Sequence, residues 1–584
     1  MMKKNNILLV LVVLVGMLSS CDTFFDDYAE DKLPEDKIWT DPQLLDGYVL
    51  PWYRGINNGF SIYMPTNALI RGLGREYLPW YADQMAVSKA EWYSAAYGDI
   101  LKSDLTEMKR RALSLWNSYY EQLRSVNLLL QHEKDIPGAD FKKRVLGEAH
   151  FFRAYYHYLL WRQYGGVLIT TEVYDPLTNA KKTPRASYDE MVNFIIAEAT
   201  LAQSYLEDVT YLAEDKGRIT CGAAMMLKAK TYMWAAGAHF QNQEKSYLGF
   251  TTDRSAEMLE KARLTYDELM KLDYSLVPIT GTTQSDIVKG YRAIFLTKNS
   301  QESILEVQHS NDGNYSTGFG HKLDREAASP YFGGVTAAYT PTQNHVDEYG
   351  MQKGYTYNAQ DPYKNRDYRF YANILYDSCT YRGHVMEIHY NKVNGVEKAA
   401  VDLTPYGESA TAAVTKTGYY LGKFVDEAQS IDNNETTASK QNYIIWRYAE
   451  VLIDYAEIDF KQGRLGDALD KVNQIRRRAH MYDLDAISWE AILNERRVEM
   501  AFEETTYWDL LRYNMASQKM SGATNPVKAM KIVKQDGKPT TYTVSNMDKY
   551  PSRVRLYRDF QYYYPIPWDE IRYQNIEQNP EWVE

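Results

Sequence analysis

Helical periodicity constrains this chain more than any other feature of it. Val145, Ala149, Phe152, Tyr156, Leu159 and Gln163 recur at steps of four and three, which lays an apolar stripe with a polar end along one helix face. Gly165-Gly166 then stops the helix, because glycine most readily leaves helical geometry at a C-terminus. A second helix is predicted over 223–236, with Thr220 as its N-cap and an Ala- and Met-rich interior of high propensity. Ile444, Tyr448, Val451, Tyr455 and Ile458 repeat the four-three spacing, and Gly463 to Gly466 turns the chain. Leu465, Leu469, Val472, Ile475 and Ala479 then predict a partner helix. Two amphipathic helices joined by a glycine turn over roughly 35 residues have the spacing of a tetratricopeptide unit.

The stretch 276–440 has a different character. Gly313, Gly318, Gly320, Gly333, Gly334, Pro330, Pro341 and Pro362 punctuate short tyrosine-rich pieces, which predicts long loops with a few short strands such as Ser303 to Gln308. Long loops in a compact domain usually carry function. The organisation expected is a leader over 1–20, an acidic tether over 21–40, a helical part over 41–275, a loop-rich insertion over 276–440 and a second helical part over 441–584. Residues 41–584 form one unit in this reading.

Charge and composition narrow the function. With 66 Lys and Arg against 77 Asp and Glu, a net charge of -11 gives no basic excess for neutralising nucleic-acid phosphates. A mean hydropathy of -0.51 argues against a polytopic membrane protein. Tyrosine accounts for 51 residues against 17 phenylalanines, so many rings carry a polar handle suited to half-wet surfaces.

The first twenty residues read as an export signal. Lys3 and Lys4 precede an apolar run from Ile7 to Leu18, shorter than the roughly 20 residues a membrane span needs. Leu18-Ser19-Ser20-Cys21 resembles the lipobox of bacterial lipoproteins, which makes Cys21 the expected lipidation site and new N-terminus. Asp22, Asp26, Asp27, Glu30 and Asp31 follow, so acyl chains and not a basic patch would supply the anchor. Only Cys221 and Cys379 remain, too few for a disulfide framework, and both are expected to be small buried hydrophobes.

Motifs for zinc, serine-hydrolase and P-loop chemistry (HExxH, CxxC, GxSxG, GxxxxGK[ST]) do not occur. Glu495, Glu499 and Glu503 share one helix face at intervals of four, a spacing that serves a metal, an acid-base pair or structural ion pairs. The neighbouring Arg496, Arg497 and Arg512 favour ion pairs. His150 and His157 are seven residues apart, not the four a shared metal wants, and Asn311-Asp312-Gly313-Asn314 reads as a turn more than a calcium loop. No catalytic residue, metal ligand or cofactor site is assigned.

A series of motifs carries a family resemblance. Gly147-Glu148-Ala149-His150-Phe151-Phe152-Arg153-Ala154-Tyr155, running on to Tyr164-Gly165-Gly166-Val167, resembles the signature helix and turn of the SusD/RagB family of nutrient-binding outer-membrane lipoproteins. Further matches follow in the family's order: Asn299 to Gln308, Arg447 to Glu457, Asn473 to Ala479, Glu495 to Glu503 leading into Trp508 to Arg512, then Tyr564-Pro565-Ile566-Pro567 with Gln578-Asn579-Pro580. Leu168 stands where a proline is common, and Glu503-Glu504-Thr505 replaces the usual Glu-Gly.

The resemblance implies a mainly α fold, a scaffold of tetratricopeptide-like helix pairs with an irregular part carrying the ligand site and a few short strands. It also implies a SusC-like TonB-dependent β-barrel as partner, oligosaccharide as cargo, and a lipid-anchored place on the outer membrane facing the exterior. Peptide or glycopeptide is the alternative cargo. A lipid-anchored glycoside hydrolase and a purely gating lid are the rival functions. Relatives place their binding surface near two aromatic stretches here, which nominates Trp80, Tyr81, Trp92 and Tyr93 in the first and Tyr315, Phe319, Tyr331 and Phe332 in the second. A glycan offers apolar C–H faces rimmed by hydroxyls, so rings beside polar groups suit it; each ring serves either a site or the core.

Overall fold

The computed structural model describes residues 35–56, 60, 78–86, 105–173, 182–310, 320–334, 336–404, 414–431, 438–547 and 555–583. Cys21, Trp92, Tyr93, Tyr315, Phe319 and the Asn311–Asn314 turn lie outside them.

The scaffold is helical, and its first half is a stack. Helices α1 (Pro42–Tyr53), α2 (Leu105–Gln131), α3 (Ala139–Tyr164), α4 (Tyr188–Leu206), α5 (Cys221–Ala235) and α6 (Ser255–Leu269) follow in order, and from α2 onward each packs on the next. Their starts obey local chemistry. Ser187 and Glu190 form a capping box at α4, and Thr220 Oγ1 accepts from Ala223 N at 3.2 Å to cap α5 as its sequence predicts.

Helix α3 departs from its predicted amphipathic form. From Val145 to Tyr164 every residue except Arg162 is buried, because α1, α2, α4 and the C-terminal segment enclose it. Its polar residues are paired in place: Glu148 receives Arg144, Arg218 and Tyr53, while Glu198 on α4 receives both His150 and Arg153. The helix ends at Gly165, whose φ of 73° suits glycine. Gly166 is required for another reason, since a Cβ there would lie 1.8 Å from Ala186 O.

After α7 (Gln284–Leu296), a helix inside the stretch expected to be loops and strands, the scaffold resumes with α8 (Tyr448–Lys461), α9 (Leu465–Arg478), α10 (Trp489–Glu499) and α11 (Thr505–Arg512). The predicted helix pair is α8 with α9, and Gly463 at φ 78° makes the turn. Its start differs: Ile444 belongs to a strand, and α8 begins only at Tyr448. Strand pairing decides this, because the 443–447 segment zips antiparallel onto Ser303–Val307, with Tyr443 opposite Val307 and Arg447 opposite Ser303.

Strands tie distant parts of the chain together. We number them β1 (Met85–Ala86), β2 (Ser303–Val307), β3 (Thr340–Pro341), β4 (Tyr390–Val393), β5 (Val396–Ala399), β6 (Tyr443–Arg447), β7 (Lys528–Lys534) and β8 (Thr541–Asn546). One four-stranded sheet runs β8-β7-β4-β5, with β7 parallel to β4 and the other pairs antiparallel. Chain from both sides of residue 440 therefore shares a sheet. Among the described residues no helix is long and apolar enough to cross a membrane.

Candidate functional site

The two aromatic stretches nominated by the sequence are joined. Strand β1 pairs antiparallel with β3, Met85 opposite Pro341 and Ala86 opposite Thr340. Trp80 Nε1 donates to Ala338 O at 3.0 Å, and Thr342 Oγ1 donates to Asp83 O at 2.5 Å. The Asp83 carboxylate accepts from Arg497 at 2.8 Å and from Asn525 at 2.6 Å, locking this segment to the C-terminal half.

Burial then separates the nominated rings. Trp80 is 2% exposed and Tyr81 0%, so both are core rings and present no face to a ligand. Phe332 is half-buried against the core, and Tyr331 is 41% exposed. Of the described candidates, Tyr331 alone is a broadly accessible ring.

Tyr331 is also built in. It sits in a 3-10 turn, Pro330–Phe332, which Gly333 ends at φ 87° while its N–H donates to Pro330 O. Its ring stacks on His384, with centroids 3.9 Å apart and planes 15° from parallel. Phe332 meets Tyr331 edge-on at 5.0 Å and Tyr381 at 5.3 Å. Asp402, wholly buried, organises the group. Its Oδ1 accepts from Ser329 Oγ at 2.5 Å and so fixes the turn that carries Tyr331. Its Oδ2 accepts from His384 Nε2 at 2.9 Å and from Glu387 N at 2.8 Å, which fixes the ring behind Tyr331. Ring and backing ring hang on one carboxylate. Sequence reasoning missed His384 and Asp402, and nothing local marks them: they come from a hairpin and a short turn distant from Tyr331 in the chain.

The three acids are structural, but they do not share one helix face: α10 ends at Glu499, and Glu503 lies in the turn that follows. Glu495, Glu499 and Glu503 are at most 7% exposed and are each engaged by basic side chains. Arg447 reaches Glu302 at 2.7 Å, Glu499 at 2.8 Å and Glu503 at 2.7 Å; Arg369 reaches Glu495 at 2.5 Å and Glu499 at 3.1 Å; Arg478 joins Glu302 and Glu499. Burial by itself would raise the Glu499 carboxyl, but Arg478, Arg447 and Arg369 outweigh it and hold it far below the usual range. The expected partners were the wrong arginines. Arg496 instead pairs with Asp454 and Asp509, Arg497 with Asp83 and Glu348, and Arg512 with Glu457 and Asp509.

The two histidines of α3 are helix residues in partnered positions. His150 Nδ1 lies 2.7 Å from Glu198, and His157 Nδ1 lies 2.8 Å from Arg153 O, with burial pushing the His157 ring down to about 4. Cys221 and Cys379 are unbridged and half-buried, less enclosed than expected. No cluster of three or more metal-ligating side chains occurs among the described residues.

This architecture defines a class: a mainly α, tetratricopeptide-like scaffold with an irregular part that exposes a braced aromatic ring. The SusD family model matches residues 301–582, and a second model, described as starch-binding associating with outer membrane, matches 65–233. The chain belongs to the SusD/RagB family. It is 22% identical over 551 residues to a SusD-like protein, P38, of Formosa agariphila, covering 91% of this chain and 96% of that one. Among solved structures it is similar to a SusD-like protein of Bacteroides fragilis, with a TM-score of 0.70 and 24% identity over 94% of this chain and all of the other. It is also similar to a SusD-like carbohydrate binding protein of the same species, with a TM-score of 0.67 and 18% identity over 92% and 99%.

Proposed function

We propose that this chain is a cell-surface glycan-binding lipoprotein that captures oligosaccharides and delivers them to a SusC-like TonB-dependent transporter. The observation that carries the reading is Tyr331, exposed yet held rigid by His384, Phe332 and the Asp402 hub. A rigid ring with a polar rim stacks on a sugar's C–H face at little entropic cost, because its rotamer is fixed before binding. Family membership and the printed description of a structural neighbour as carbohydrate binding support the same class. In this reading residues 1–20 are the leader, lipidated Cys21 is the anchor, residues 21–40 are the tether, and 41–584 act as one body over the barrel. In this reading the protein binds its glycan without cleaving it, which the engagement of Glu495, Glu499 and Glu503 by buried basic side chains supports.

Isothermal titration calorimetry of the chain starting at Asp22, against a panel of oligosaccharides and peptides, tests this. Saturable binding of one saccharide class is expected, at least tenfold weaker in Tyr331→Ala, with reducing-end assays showing no turnover. Heats with peptides alone, or unchanged glycan affinity in Tyr331→Ala, would overturn it.

A further inference from the structure

A pocket of about 90 Å³ opens among α3, α5, β6 and the start of α11, in the scaffold and not at the Tyr331 surface. Tyr155, Tyr158, Trp446 and Trp508 give it aromatic walls. Two charges in its lining have no ion-pair partner among the described residues, and they are of opposite sign.

The cation is Arg162, the one residue between Val145 and Tyr164 of α3 that is not buried. Its guanidinium lies 4.0 Å from the Trp508 ring centre and 4.5 Å from that of Tyr158, and its buried Nε has no hydrogen-bond partner. The acidic group is Glu504, at φ 63°, whose Oε1 accepts only the Leu78 N–H at 3.2 Å. Every other charged lining group is satisfied: Lys230 by Glu450, Arg496 by Asp509, Arg512 by Glu457 and Glu503 by Arg447. Two further acceptors stand beside them. Glu450 is 1% exposed and its Oε2 has no partner, and Thr505 Oγ1 is likewise unpartnered.

The geometry points to a binding site for a small α-amino acid, its carboxylate on Arg162 and its ammonium among Glu504, Glu450 and Thr505. A guanidinium set against two rings still offers the planar fork that pairs with carboxylates. An ammonium has three donors, matching the three acceptor groups, and the aromatic walls favour a cation. Charge decides against a sugar, whose neutral hydroxyls would leave the Arg162 guanidinium and the Glu504 carboxyl without a counter-charge.

Calorimetry of the chain from Asp22 with free glycine and L-alanine, and with glycerol and glucose as neutral polyols, tests the site. Saturable one-to-one heats with the amino acids only are expected. Arg162→Met, which keeps the stacked bulk, and Glu504→Gln should each weaken binding at least tenfold, and Tyr331→Ala should leave it unchanged. Should Arg162→Met not fold, Glu504→Gly serves in its place, because glycine suits the positive φ while removing the carboxylate. Silence toward amino acids at millimolar concentration, heats with polyols instead, or amino-acid affinity unchanged in the Glu504 variants would overturn the proposal. These outcomes are independent of glycan capture at Tyr331.

Discussion

Arg447 meets three carboxylates, those of Glu302, Glu499 and Glu503, and none of the four side chains has appreciable access to water. Removing one member of such a group leaves the others charged and buried, which costs far more than the intact network contributes. Glu499→Gln is therefore expected to destabilise the fold by about 3–5 kcal/mol in chemical denaturation; a loss below about 1 kcal/mol, the level of an exposed pair, would refute the structural role. Glu504 makes the opposite case. Burial lifts its carboxyl to about 7 against the weaker pull of the Leu78 N–H and of Arg162. A raised folded value means the folded state holds the proton more tightly, so the contribution to stability is full below the unfolded value near 4.3 and is lost as pH rises through about 7. Relative to wild type, Glu504→Gln should gain on the order of 1–2 kcal/mol between pH 5 and pH 8, discounted because the side chain is half-buried. Parallel urea midpoints at the two pH values would contradict this.

At the scale of elements, two glycines beside helix ends have opposite roles. Gly166, after α3, faces Ala186 O so closely that Gly166→Ala must move backbone, and a loss of about 2 kcal/mol or more in thermal unfolding is expected. Gly466, in the first turn of α9, has nothing within 4 Å of a would-be Cβ and is exposed, so Gly466→Ala should stabilise by about 0.5–1 kcal/mol. If both substitutions had equal effects, close packing at the α3 end would not be the reason for its glycine. The helix reading succeeded where local rules suffice, at the α5 cap and the Gly463 turn. It slipped at Ile444 because a four-three spacing continues across a strand into a helix, and only the partner strand β2 ends the ambiguity. It misjudged α3 because buried, paired His150, Arg153 and Glu148 look like a solvent face when partners are unseen.

For the whole molecule, the lipid anchor is the proposal most open to direct test. Cys21→Ser should abolish incorporation of radiolabelled palmitate and release the chain from the membrane fraction; retention of both label and membrane association would exclude lipidation at that residue. The ordered motifs were legible as a series long before their purpose was. Asn299–Gln308 supplies Glu302, Arg447–Glu457 supplies Arg447, Asn473–Ala479 supplies Arg478, and Glu495–Glu503 supplies the acids, so these separated pieces converge on one buried network. Sequence by itself determined the family and the helical class, because helix periodicity, caps and motif order are local and additive along the chain. Tertiary structure alone decided which rings are accessible, withdrawing Trp80 and Tyr81 into the core and leaving Tyr331 braced by His384 and Asp402. The physical reason is that burial and ion pairing depend on what arrives from elsewhere in the chain, and residue spacing along one segment carries no record of it.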